Sequence, residues 1–170
     1  MPTRTALVLL ALVLAAGCGG DDDDATDADT DASAEALGDG AAITYHYIDA
    51  SVPPDVQRNY SFVVTSEEIQ ATVDSYGDLI DEVVVETPTE VWAALSDTSQ
   101  PALTVEADSI PEGCTGGTGR HLLVNDSPAF SFEAGFDVCG GVNEEQAEAV
   151  DAYIKPVTEA IPEWESMITP

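Results

Sequence analysis

Basic side chains are nearly missing from this 170-residue chain: four Lys and Arg stand against 33 Asp and Glu, a formal charge of −29. Once Arg4 is set aside, only Arg58, Arg120 and Lys155 remain to offset those acids, all of which follow Cys18, and the charge becomes −30. Such a polyanion repels phosphate backbones, which excludes nucleic acid as a partner, and it lacks the basic patches that adhere to anionic lipid. It favours solubility and attracts divalent cations or basic proteins, although a salt-adapted composition gives the same bias. Histidine is limited to His46 and His121, and cysteine to Cys18, Cys114 and Cys139. No Gly-x-Ser-x-Gly elbow, Ser-x-x-Lys pair or His-Glu-x-x-His helix occurs. The reading therefore leans away from an enzyme, with no catalytic residue, metal ligand or cofactor assigned.

Long apolar runs are equally scarce. The single candidate is Ala6 to Ala16, preceded by Arg4 and followed by Gly17-Cys18, too short for a permanent transmembrane helix and laid out as a secretory signal. The segment Leu14-Ala15-Ala16-Gly17-Cys18 resembles the lipobox of bacterial lipoproteins, a resemblance confined to residues 1–20. Ala15 stands where that family usually has Leu. The resemblance implies cleavage before Cys18, a diacylglyceryl group on its thiol and frequent acylation (palmitate, for example) of the new N-terminus. Each buried lipid methylene contributes about 0.8 kcal/mol, so two or three chains hold a protein at a membrane where one does not. The expected location is extracytoplasmic, lipid-anchored on the periplasmic or cell-surface side of a bacterial membrane, with the remainder of the chain soluble.

Three regions follow: residues 1–17 as the lipoprotein signal peptide, 18–41 as the lipidated cysteine and a disordered acidic tether, and 42–170 as one globular domain. The tether contains Asp21 to Asp24, Asp27, Asp29 and Asp31 and has no apolar periodicity, so self-repulsion keeps it extended. Asp27, Asp29 and Asp31 imitate an EF-hand start, but Ala32 and Gly38 occupy the positions of the required glycine and bidentate glutamate.

Within the domain, Ile43–Ile48 and Tyr60–Val64 are rich in aromatic and β-branched residues, and Ile69–Tyr76 and Leu79–Val85 continue a strand rhythm punctuated by turns. Thr87-Pro88-Thr89-Glu90 carries an N-cap hydroxyl, a proline at the first helical position and a capping-box glutamate, predicting a short helix through Val91, Trp92 and Leu95. Further strands are expected at Leu103–Glu106, Arg120–Val124 and Ala129–Glu133. Asn143 opens a last helix with Val150, Ile154, Val157 and Ile161 on one face, kinked or split by Pro156 and Pro162. The fold class is α+β: an antiparallel β-meander sheet with two helices packed on one face, closed by one disulfide.

That disulfide follows from cysteine arithmetic. With Cys18 lipidated, Cys114 and Cys139 are left together in an oxidising compartment. Closing a loop of about 25 residues contributes about 3.5 kcal/mol in the chain-entropy description. Both cysteines adjoin glycines, and the segment Gly116, Gly117, Gly119, Arg120, His121, together with Arg58, is the candidate binding site. Backbone amides of such a loop can cradle anions, but the phosphate-loop ending is absent. The simpler reading is that the glycines let the backbone pass close to the disulfide while each arginine pairs with a carboxylate. Two functions remain: a non-catalytic binding or interaction module tethered to the cell envelope, with an envelope protein as partner, or a small envelope hydrolase with a site near loop 115–121.

Overall fold

Alternation of inward apolar and outward polar residues builds the sheet. In the computed structural model, which describes residues 36–110, 112 and 115–170, six strands form: β1 Ala42–Ile48, β2 Asn59–Val64, β3 Glu68–Ser75, β4 Asp78–Glu86, β5 Thr118–Asp126 and β6 Phe130–Val138. They lie in the order β4-β3-β2-β1-β5-β6, every neighbouring pair antiparallel. The first four make the expected meander. The β5–β6 hairpin then adds to the free side of β1, so β1 lies inside the sheet and β4 and β6 are its edges.

Register puts one apolar set on one face: Ile43 opposite Val64 and Val124, Tyr45 opposite Phe62 and Leu122, Ile69 opposite Val85. These residues join a single core with Val91 and Leu95 of helix α1 (Thr89–Leu95), Val150, Ile154 and Val157 of helix α2 (Glu144–Ala160), and Trp164 of helix α3 (Trp164–Ile168). All three helices cover that face, and the other face of the sheet meets solvent, as antiparallel sheets permit. The Tyr153 hydroxyl of α2 donates to the Leu95 carbonyl at 2.7 Å, occupying an acceptor that the end of α1 leaves open. Between β3 and β4, Tyr76 (φ 51°) and Gly77 (φ 91°) form a two-residue turn with both centres left-handed, the hairpin geometry that matches strand twist.

Several expectations need correction. Leu103–Glu106 is not a strand: Pro101–Thr104 is a 3-10 turn with Pro at its start and Ala102 and Leu103 buried. Four residues of alternation do not distinguish that turn from a strand. The first helix begins one residue later than its capping signals imply, with Pro88 as N-cap and no side-chain cap. The Thr87 hydroxyl donates to the Thr65 carbonyl instead, tying the helix entry to the β2–β3 turn. Asn143 precedes α2 as expected, but its side chain bonds Asp108 and the Asp137 carbonyl rather than the helix. Pro156 lies inside an unbroken α2, whereas the residue before Pro162 is extended, as the proline ring requires, and ends it. Packing also begins before residue 42: Leu37 and Ala41 are buried, and the Leu37 N–H donates to the Ser96 carbonyl. The described residues, from 36 to 170, form one compact unit. The expected signal peptide, Cys18, the acidic run and Cys114 lie outside the described residues.

Candidate functional site

Strand alternation separates Arg120 from His121. Arg120 points to the helix-covered face, level with Tyr47 on β1 and Phe136 on β6, while His121 points to the open face. Beneath α2 the guanidinium makes four hydrogen bonds. Nε and Nη2 donate to the two oxygens of Asp151 at 2.8 and 2.9 Å, and Nη1 donates to Thr118 Oγ1 and the Gly119 carbonyl at 3.0 and 3.1 Å. Its carbon lies 4.4 Å from the Tyr47 ring centroid, a cation–π contact. The Tyr45 hydroxyl donates to Asp151 Oδ1 at 2.9 Å. Desolvation lowers the proton affinity of this guanidinium, but the hydrogen bond and charge of Asp151 outweigh it and raise the pKa, fixing the positive charge. One carboxylate on α2 thereby clamps the helix to β5 and β1.

Aromatic rings extend from this clamp. Tyr47 stacks on Tyr60 with centroids 4.6 Å apart, and Trp164 meets Tyr60 edge-on at 5.1 Å. Between these rings and α2 runs a groove of about 450 Å³, bordered by Tyr45, Tyr60, Asp151, Lys155, Thr158 and Trp164. Burial, reinforced by the neighbouring charge of Asp151, raises the Tyr45 hydroxyl well above the ordinary tyrosine range and pushes Tyr60 up to about 12. These phenols stay neutral in the physiological range. No nucleophile–histidine arrangement accompanies them, because both histidines belong to strand positions facing the other way.

Arg58 lines a separate hollow of about 240 Å³ that shares Tyr47 and Tyr60. Its Nη1 donates to the Asp55 and Gln57 carbonyls, and its Nε is buried without a hydrogen-bond partner among the described residues. The two arginines are thus neighbours of one tyrosine stack, with different partners. The expected carboxylate pairing holds for Arg120 and not for Arg58, which makes no salt bridge among the described residues.

The glycines behave as spacers. A Cβ on Gly117 would lie 2.7 Å from the Val138 carbonyl and 3.5 Å from Cys139 Sγ, and one on Gly119 would lie 3.1 Å from Ile48 Cβ. Gly116, at φ 77°, has open space around it. Close passage along β6 and β1 accounts for Gly117 and Gly119, with no anion cradle required.

A feature with no sequence motif lies at the β4 edge. Tyr76, Leu79, Ile80 and Val84 are 57, 62, 45 and 54 % exposed, an apolar hairpin on a strand with one side unpaired among the described residues. Asp78, Asp81, Glu82 and Glu86 are interspersed with them along the same strand. In the sequence Leu79–Val85 reads only as a further strand of the meander, and only the sheet order reveals that β4 is an edge.

The architecture defines an α+β protein with a one-sided antiparallel sheet. Compared with known proteins, the chain matches no family model, no curated protein and no solved structure. Among the described residues, no helix is long and apolar enough to cross a membrane.

Proposed function

We propose that this protein is a lipid-anchored, extracytoplasmic interaction module, held to a bacterial membrane through Cys18 and presenting its domain on an acidic tether to an envelope protein. The observation that carries the interaction reading is the exposed apolar hairpin of β4, where Leu79 is 62 % exposed beside an unpaired strand edge. Exposed apolar surface rimmed by charge marks binding surfaces, and an open strand edge accepts an added strand through its backbone. The acids along β4 and the net charge of the chain select a basic, extended segment as the complement. Catalysis receives no comparable support: Arg120 is neutralised by Asp151, and His121 faces away from it.

The anchor rests on the lipobox-like segment Leu14 to Cys18. The proposed Cys114–Cys139 bridge is supported by the approach of Gly117, three residues after Cys114, to Cys139 Sγ.

The test is affinity capture from envelope extract with the oxidised, lipidated protein and with a Leu79→Asp/Ile80→Asp form. A stoichiometric protein partner lost from the doubly substituted form supports the proposal. Equal capture by both forms, or capture by neither, contradicts it.

A further inference from the structure

The two histidines are far apart in sequence and are the only ones in the chain, yet the sheet places them side by side. His46 on β1 is the direct register partner of His121 on β5. Residues opposite one another in an antiparallel pair project from the same face with Cβ atoms about 4.5–5.5 Å apart. Here that face is the open one, and the imidazoles stand over a shallow depression of about 440 Å³ that also includes Gly119, Gly135 and Asp137.

The His121 ring is already oriented. Its Nε2 lies 3.1 Å from Glu133 Oε1 on β6, and its Cδ2 lies 2.9 Å from where a Cβ on Gly135 would be. Gly135 is the β6 partner of His121, so the missing side chain is what lets the ring lean that way. With the Cδ2–Nε2 edge turned to β6, the Nδ1 edge turns to β1, where His46 stands. When Nε2–H donates to this carboxylate, Nδ1 is the ring nitrogen left to bind an ion. That is the carboxylate–histidine relation found behind metal-bound imidazoles. The His121 side chain is 41 % exposed and His46 is exposed, so an ion has access to both.

We propose that His46 and His121 form a two-imidazole chelate for a borderline transition-metal dication such as Zn²⁺, Ni²⁺ or Cu²⁺, with Glu133 orienting His121 from behind. Imidazole nitrogen suits these ions and not Ca²⁺ or Mg²⁺, which take oxygen ligands. The sheet register holds both residues on one face, so little backbone freedom remains to be lost on binding. The polyanionic chain raises the local concentration of cations. Among the described residues no group of three or more His, Cys, Asp or Glu is gathered around a common point, so the remaining coordination positions belong to water.

The experiment is isothermal titration of the full mature protein with Zn²⁺, run in parallel with Ca²⁺, for wild type and for His46→Ala, His121→Ala and Glu133→Gln. Circular dichroism checks the fold of each variant. Expected is one equivalent of Zn²⁺ per chain, weakened at least tenfold by either histidine substitution and about tenfold by Glu133→Gln, with no matching Ca²⁺ site. In Cu²⁺ electron paramagnetic resonance, two coordinated nitrogens should become one in either alanine variant. The proposal is overturned if Zn²⁺ does not bind, if both alanine variants bind it as the wild type does, or if Ca²⁺ competes on equal terms, which would place the ions on carboxylates such as Asp21 to Asp24.

Discussion

Replacing Asp151 by Ala removes the clamp between α2 and the sheet, and its cost can be worked from the contacts. Two charge-assisted hydrogen bonds from Arg120 and one from the Tyr45 hydroxyl disappear together. The Arg120 side chain is 11 % exposed, so water reaches little of the stranded charge, whereas Asp151 is 44 % exposed and part of its pairing is already screened. Exposed pairs contribute about 0.2–1 kcal/mol, and breaking a buried pair costs about 3–5 kcal/mol. This mixed case lies between them, and the buried Tyr45 hydroxyl loses its acceptor as well, so the expected loss is about 2–3 kcal/mol. For a domain of this size that lowers the melting temperature by roughly 10 °C. Urea unfolding followed by circular dichroism reads the loss directly. The control is Glu159→Ala, which breaks the Lys155–Glu159 pair at 3.5 Å, where both side chains are more than 60 % exposed. It should cost less than about 0.5 kcal/mol. If Asp151→Ala costs no more than Glu159→Ala, the clamp is not what fastens α2. In a double substitution, Arg120→Met with Asp151→Leu should recover much of the loss, because no charge is then left unpaired.

Other expectations can be checked as readily. Burial raises Tyr45 and Tyr153 well above the ordinary range and Tyr60 to about 12, so the folded state favours their neutral forms. That contribution is complete below the unfolded tyrosine pKa near 10 and is lost as pH rises above it. Absorbance at 295 nm should show these three phenols un-ionised at pH 11 while the protein remains folded, and early ionisation without unfolding would refute their burial. Gly117→Ala forces a Cβ against the Val138 carbonyl and should cost about 1–3 kcal/mol in urea unfolding; a neutral result would mean that the loop does not run close along β6. Cys18→Ser should release the protein from membranes into the soluble fraction, and unchanged sedimentation with the envelope would contradict the anchor. With Cys18 blocked or replaced, the unreduced protein should contain no reactive thiol, and finding two would remove the Cys114–Cys139 bridge.

Much of the sheet is legible from residue pattern alone. Ile43, Tyr45 and Tyr47 alternate with Thr44, His46 and Ile48, and Val150, Ile154 and Val157 repeat at helical spacing, so burial follows the period. Local signals fail where the same group has two possible partners. Thr87 and Asn143 have ideal capping chemistry, yet their side chains serve the β2–β3 turn, Asp108 and the end of β6, contacts that exist only after the chain has folded. Pro156 reads as a breaker, yet α2 runs through it. The site is less legible still. Arg120 and His121 are adjacent in sequence and look like one feature, but a strand sends consecutive residues to opposite faces. Arg120 meets Asp151 on a later helix, while His121 meets His46 through the β1–β5 register. Neither pairing has a spacing signature, because both depend on the order of strands in the sheet. The exposure of Leu79 and Ile80 is equally hidden in the sequence: β4 is richer in apolar residues than β3, and only the strand order places it at the edge.

The proposed interaction stands or falls on whether the β4 hairpin is a binding surface. The most direct measurement places a photo-reactive side chain at Leu79, or at Glu145 on the exposed side of α2, in the full-length protein within intact cells of the source. Irradiation should give a single defined protein adduct from position 79 and none from position 145. Identical adducts from both positions, or no adduct from position 79, would contradict the claim that this edge is the binding surface.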